Sequence, residues 1–261
     1  MAKSSFAELN EDADESNGAT ASAEATSTAT EGTSTEGGLV TQEASGGELA
    51  LNNQMEDAGL SGDFQQSDVN LPRINIVAKT SQLVDDGFTP GAIVLNKEVE
   101  LVKKDEPLKV IVLNMLKQFQ EDVAWGEDRA PRVFNSHTEL EAAGFSTEWG
   151  SPNLCRPMAH ITMMIEAPDG LSNEGAELFP YEFNEKLYAM AVLTASKSAY
   201  KTTAKEIATF AAFAQGAGVW TTAWNLTSKL RTEGDVSWFS PALKRAGRIN
   251  DDLLAFVEGV K

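Results

Sequence analysis

The sequence predicts a mainly β domain of the α+β class, a small β-barrel with added helices, preceded by a disordered acidic tail. Three observations support this class. The composition changes sharply near residue 70, at least five later segments have the composition of short strands, and one helical pattern lies between the late strands. Short strands separated by turn signals are typical of small barrels, whereas regularly alternating strands and helices would indicate a parallel sheet.

Residues 1–70 differ from the rest of the chain in charge and composition. They contain 14 acidic residues and one basic residue, Lys3, for a net charge of −13, and they have no Trp, Tyr or Pro. So little apolar surface cannot offset the entropy lost on folding. We therefore expect a disordered tail over residues 1–70 and a single globular domain over residues 71–261, which carries the remaining charge of −5.

The first half of the domain contains four segments rich in apolar and β-branched residues, with Gly, Pro and Asp turn signals around them. The predicted strands are 74–79, 91–95, 99–102 and a long, curved strand 108–119. Residues 121–158 then form an insert. Within it, Ser136 and Glu139 have the spacing of a capping box, which predicts a short helix.

The second half combines strands with two helices. Strands are predicted at 159–167, within 178–195, at 219–230 and at 236–241. Ser198 is the expected N-cap of a helix that ends near Gln215, and Asn250 is the expected N-cap of the closing helix, 251–260. Alternation along 219–230 places Trp220 and Trp224 on one face of their strand.

Catalytic and metal-binding signatures are missing from the sequence. It contains no Walker loop, no GxGxxG after a strand, no GxSxG and no HExxH, so we do not expect an enzyme. The only Cys and His residues are Cys155, His137 and His160, and a zinc site would need a carboxylate as well. We therefore expect neither a metal nor a cofactor.

Cysteine usage and hydropathy bear on the compartment. A single cysteine, Cys155, allows no intramolecular disulfide, which fits a reducing environment. No apolar run approaches the roughly 20 residues that a membrane helix needs. The N-terminus has neither the basic segment nor the apolar segment of a signal peptide. We expect an intracellular protein with no contact with membranes.

Lysines and aromatic residues alternate in the last third of the chain. Residues 186–261 carry a net charge of +4, against −9 for residues 71–185. Such a segment is either an ordinary core element or a surface for single-stranded nucleic acid, in which bases stack on aromatic rings and phosphates meet cations. The candidate nucleic-acid-binding residues are Lys197, Tyr200, Lys201, Trp220, Trp224, Lys229, Trp238, Lys244 and Arg245.

Four segments of the sequence resemble a known group of proteins. LPRINIVAKTSQLVDDGFTPGAIVLN opens the domain, and AVLTASKSAYKTTAKEIATFAAFA, VWTTAWNLTSKL and WFSPALKRAGRI follow later. These segments are similar to tailed-bacteriophage single-stranded DNA-binding proteins built on an OB-type barrel, over most of residues 71–120 and 186–250. Some relatives hold zinc in a Cys-rich insert. Here that region has Cys155 alone, so no metal is implied.

The resemblance implies an OB-like barrel and sequence-tolerant binding of single-stranded DNA in phage DNA replication or recombination. It places the protein in the host cytoplasm, with phage replication or recombination proteins as further candidate partners. A homo-oligomer is a candidate assembly. The alternative is a phage structural or accessory protein, virion-associated or scaffold-like, without nucleic-acid binding, which the net charge of −18 favours.

Overall fold

The computed structural model describes residues 70–124, 127 and 129–261. The disordered tail predicted for residues 1–70 therefore lies outside the described residues, apart from Asn70. The described strands are β1 Ile74–Ile76, β2 Ile93–Leu95, β3 Val99–Val102, β4 Leu108–Glu121, β5 Val133–Phe134, β6 Cys155–Glu166, β7 Tyr181–Phe183, β8 Lys186–Ser196, β9 Thr222–Glu233 and β10 Val236–Arg248. The described α-helices are α1 His137–Ala142, α2 Asn173–Ala176, α3 Lys197–Thr202, α4 Ala204–Phe213 and α5 Asp251–Val260.

The strands form two antiparallel sheets. One has the order β1-β2-β3, and the other has the order β10-β9-β4-β6-β8-β7, with the short β5 paired to β4. In the described part of the chain β7 and β10 do not pair, so the larger sheet stays open. The mainly β prediction is confirmed. The predicted barrel is not closed, and this topology does not confirm an OB-like fold.

The small sheet lies against the larger one. A parallel bridge joins Arg73 to Val192 of β8, and the Val192 N–H donates to the Pro72 carbonyl at 2.8 Å. On the other side, Lys79 Nζ lies 2.6 Å from Ser237 Oγ of β10. The small sheet therefore contacts both β8 and β10, two strands that are well separated in the order of the larger sheet.

Strand alternation divides the buried side chains between two clusters. In β4, Val110 and Val112 enter the main core with the small sheet and α4, whereas Ile111 and Leu113 face the opposite way. The second cluster is covered by α5, which contributes Val257. This division follows from the two-residue period of a strand buried on both faces.

Both predicted helix caps outside the α3–α4 region are confirmed. The Ser136 hydroxyl accepts from the Glu139 N–H at 3.1 Å, and Asn250 Oδ1 accepts from the Leu253 N–H at 2.8 Å. Ser198 is not an N-cap. The predicted helix begins two residues earlier than expected, after Ser196, and it breaks at Thr203, where φ is −127° and ψ is −73°.

Several predicted strands have different limits. The segment 178–195 contains the hairpin β7–β8, turning at Asn184 and Glu185, which have φ values of 49° and 62°. Two successive positive φ angles are the geometry of a type I′ turn. β10 continues to Arg248 instead of ending at Pro241. No helix in the described ranges combines the length and apolar character that crossing a bilayer demands.

The N-terminal part of the predicted strand 219–230 is also different. Residues Val219–Thr221 form a turn of 3-10 helix, and β9 begins only at Thr222. The expectation that Trp220 and Trp224 share one strand face is therefore wrong, because Trp220 is not in the strand.

Candidate nucleic-acid interface

The structure separates the nine predicted residues into several places. Lys197, Tyr200 and Lys201 lie on α3, next to β10 and its Trp238. Lys229 of β9 is paired with Ser240, close to the same region. The others lie elsewhere: Trp224 and Arg245 are cross-strand neighbours beneath α4, Lys244 is on the opposite face of β10, and Trp220 contacts α5.

The helix α3 lies along the outer edge of β10. Thr202 Oγ1 donates to the Pro241 carbonyl at 2.6 Å, and Trp238 Nε1 donates to Ser198 Oγ at 3.2 Å. Trp238 and Tyr200 are half-buried, and burial raises the pKa of the Tyr200 phenol. Both rings therefore contribute to the packing of α3 and have little free face for a base.

Neither Trp224 nor Trp220 is free to stack with a base. Trp224 is 1% exposed in the main core, where the ring of Phe210 meets it edge-on at 5.5 Å. Trp220 donates from Nε1 to Glu258 Oε1 at 3.2 Å, and Lys261 Nζ lies 3.2 Å from its ring centroid. A Cβ at Gly218 would lie 2.4 Å from the same ring. The base-stacking roles predicted for these two residues are therefore corrected to packing roles.

The exposed aromatic residue near α3 is one that the sequence interpretation left out. Trp149 is 82% exposed, and the guanidinium carbon of Arg156 lies 5.0 Å from its ring centroid. Arg156 Nε donates to Asp122 Oδ2 at 2.6 Å, and Lys197 Nζ lies 3.1 Å from Asp122 Oδ1. We call Trp149, Arg156, Asp122 and Lys197 the Trp149 surface.

Two strands and a small core hold the Trp149 surface in place. Arg156 is the second residue of β6 and is paired with Gln120 of β4, which brings Asp122 within reach. The Ser146 carbonyl accepts from the Cys155 N–H at 2.8 Å, and this fixes the start of the loop that carries Trp149. Beneath the loop, buried side chains of β4, β5, α1 and β6 pack together: Phe119, Phe134, Leu140 and Cys155.

The carboxylate of Asp122 organises the two cations. Its burial raises the pKa, but hydrogen bonds from Arg156 and Lys197 outweigh this effect, and the pKa of Asp122 lies below its usual value. The group is therefore ionised at neutral pH. The Asp122 carboxylate carries one negative charge between two cations, and the exposed Lys201 adds a third cation, while the exposed Glu148 beside Trp149 adds a second carboxylate.

The backbone at Lys197 has a left-handed conformation, with φ at 52°. A residue other than glycine adopts this conformation at a cost of about 1–2 kcal/mol. The side chain of Lys197 is 67% exposed, so packing does not explain the choice of residue. Strain of this kind concentrates at functional sites.

A second region lies between α4 and the strands β9 and β10. It is an open cleft of about 600 Å³, which we call the α4 cleft. Phe213, at the end of α4, is 80% exposed at its rim, and the guanidinium of Arg245 lies 5.1 Å from the centroid of Phe210. Arg248 and Glu206 also line it.

Long-range contacts explain why Trp149 and Arg156 were missed. The Arg156–Asp122 pair joins residues 34 positions apart, and only the pairing of β4 with β6 brings them together. One local signal was present: the Trp in the polar sequence STEWGSPN has no apolar neighbours along the chain, which favours an exposed position.

Comparison of the chain with protein-family models, with curated proteins and with solved structures finds no match. Within the described ranges, no three His, Cys, Asp or Glu side chains are grouped as a metal site.

Proposed function

We propose that this protein binds single-stranded DNA with little preference for sequence. The observation that carries the proposal is the exposed indole of Trp149 beside Arg156. An aromatic face in solvent stacks with any base, and each stacked base contributes about 1–3 kcal/mol. Arg156 leaves most of the indole open, because 82% of Trp149 is exposed.

The cations near Trp149 supply the contacts to phosphate. Asp122 pairs with Arg156 and Lys197 through its two carboxylate oxygens, which places the two cations next to each other before a DNA strand binds. Lys201 and Lys205 are exposed on the consecutive helices α3 and α4. A DNA strand that runs from Trp149 along these helices meets cations at intervals. Such a row of cations attracts the phosphates of any DNA strand, whatever its sequence.

The wider proposal places this activity in phage DNA replication or recombination in the host cytoplasm, alongside other phage replication proteins. It includes an OB-like arrangement, which is supported by the packing of both sheets on one core and by the contacts of the small sheet with β8 and β10. Self-association of the protein along DNA belongs to the same proposal.

A titration with oligo(dT) tests the proposal. We expect quenching of tryptophan fluorescence at low salt, together with a rise in the anisotropy of a labelled oligonucleotide, and both signals should weaken as salt is added. The Trp149→Phe variant should lose most of the quenching and keep most of the anisotropy change. If micromolar protein gives no change in either signal at low salt, the protein does not bind single-stranded DNA. The structural or accessory alternative would then be favoured.

A further inference from the structure

We propose that the α4 cleft is a second binding site, which takes one nucleoside phosphate. Its aromatic wall would hold the base, and Arg245 and Arg248 would hold the phosphate. This site shares no residue with the Trp149 surface. It can therefore exist whether or not the Trp149 surface binds a strand.

The apolar side of the cleft suits a planar ring. The helix α4 contributes Phe210 and Phe213 to the cleft, and the residues after it contribute Ala214 and Ala217. Trp224 lies buried at the bottom of the cleft. Phe210 is fixed by its edge-on contact with Trp224, whereas Phe213 is 80% exposed and presents its ring to solvent. The volume of about 600 Å³ lies within the range of about 300–1,000 Å³ that is typical of small-ligand sites.

The polar side of the cleft suits a phosphate. The guanidinium of Arg245 lies over Phe210 at 5.1 Å, and among the described residues it has no carboxylate partner. Arg248 lies 3.5 Å from Asp251, but both side chains are largely exposed, so this pair is weak and easily exchanged for a ligand. The lining itself contains the two arginines and one acidic residue, Glu206, and Asp251 pairs with Arg248 from outside the lining. Each arginine guanidinium can bind two phosphate oxygens through parallel N–H donors, a fork geometry that lysine lacks.

Calorimetric titrations with thymidine monophosphate, thymidine and inorganic phosphate test the site. We expect the monophosphate to bind more tightly than either fragment. The double variant Arg245→Ala, Arg248→Ala should lose about tenfold or more in affinity, the factor of one lost charge-assisted hydrogen bond. Phe213→Ala should lose about fivefold, the lower end for one stacked base. Lys103→Ala, which removes an exposed cation outside the lining, is the matched control. Circular dichroism of each variant checks that it is folded. Arg245→Lys should bind the monophosphate with an affinity between those of the wild type and the arginine double variant.

Two outcomes would overturn the proposal: no binding of the monophosphate at millimolar concentration, or binding that the arginine and phenylalanine variants leave unchanged. Trp149→Ala separates the two sites, because it should weaken oligo(dT) binding and leave monophosphate binding intact. If the wild-type protein binds the monophosphate but not oligo(dT), that result counts against the Trp149 surface and leaves the α4 cleft standing. Oligonucleotides with and without a 5′-phosphate identify the source of the ligand. If the arginine double variant lowers the affinity for the 5′-phosphorylated oligonucleotide alone, the ligand is the end of a DNA strand. If it lowers the affinity for neither oligonucleotide, the ligand is a free nucleotide.

Discussion

Arg156 and Trp149 form a cation–π pair in which the guanidinium carbon lies 5.0 Å from the centroid of the indole. The same guanidinium donates to Asp122, and this hydrogen bond sets its orientation over the ring. A cation held in this way limits the motion of an otherwise exposed aromatic side chain. The pair therefore presents a partly ordered aromatic face, which would lower the entropy lost on binding a base at the proposed site.

Trp149 should dominate the affinity for single-stranded DNA. Replacement by alanine removes a stacking contribution of about 1–3 kcal/mol, and phenylalanine should restore part of it. Fluorescence anisotropy with a labelled oligo(dT) measures the affinities of the alanine and phenylalanine variants. Val236→Ala, at another strongly exposed apolar position, should leave the affinity unchanged. An equal affinity for Trp149→Ala and the wild type would contradict the assignment.

Lys201 should act through charge alone. Its replacement by alanine should weaken binding to all sequences equally and reduce the slope of log K against log salt by about 0.7, the value for one phosphate contact on a single strand. Titrations at four salt concentrations give the slope. Lys103→Ala serves as the control, and a slope that stays the same in Lys201→Ala would remove this residue from the interface.

Two substitutions at Lys197 separate backbone strain from charge. Both Lys197→Gly and Lys197→Ala remove the cation, and both should weaken DNA binding by a similar factor. Glycine adopts the left-handed conformation without strain, so Lys197→Gly should be more stable than Lys197→Ala by about 1 kcal/mol. Urea unfolding measures the difference. A more stable alanine variant would show that the left-handed backbone at this position is not strained.

Trp224 should affect stability and not DNA binding. Its indole is buried, and Nε1 has no hydrogen-bond partner among the described residues. Trp224→Ala should destabilise the fold by about 3–5 kcal/mol. Trp224→Phe should cost less, since it also removes the unpaired donor. Thermal unfolding and the oligo(dT) affinity of the folded Phe variant check this. A selective loss of affinity with unchanged stability would restore Trp224 to the interface.

The stability of the insert should fall in acid. A hydrogen bond from Arg129 is the main reason that the pKa of Glu121 falls from 4.5 to about 2. Because the pKa is depressed in the folded state, the stabilisation is present above about pH 4.5 and is lost as the pH falls toward 2. Unfolding midpoints at pH 6 and pH 3 should differ less in Arg129→Ala than in the wild type. The Lys103→Ala variant should keep the wild-type difference.

Local signals in the sequence were sufficient for much of the fold. The long strand β4 follows from its apolar run, and Asn250 and Ser136 cap helices because their side chains meet N–H groups within three residues. Ser198 has the same capping chemistry but serves another purpose. Its hydroxyl accepts from Trp238, 40 positions away, and no local pattern contains that contact.

The candidate site was less accessible to sequence reasoning. Lys and aromatic residues between 186 and 230 indicated a binding segment, but the same pattern fits a core element, and Trp224 proved to be core. Exposure decides between the two, and it depends on how the sheets and helices pack. Trp149 and Arg156 lie in a region that appeared to be a mere insert, and their link to Lys197 exists only through the folded position of Asp122.

The position of α3 has a consequence for solubility. The outer edge of a terminal strand is a template on which another chain can add a strand, and proteins avoid aggregation by covering such edges. The Thr202 hydroxyl donates a hydrogen bond to the Pro241 carbonyl of β10, so the six-residue helix α3 covers this stretch of the edge. Unwinding of α3 would expose unpaired backbone groups at the edge of β10 and would also displace Lys197 and Lys201. Loss of the proposed DNA contacts and the onset of aggregation through this strand edge should therefore occur together.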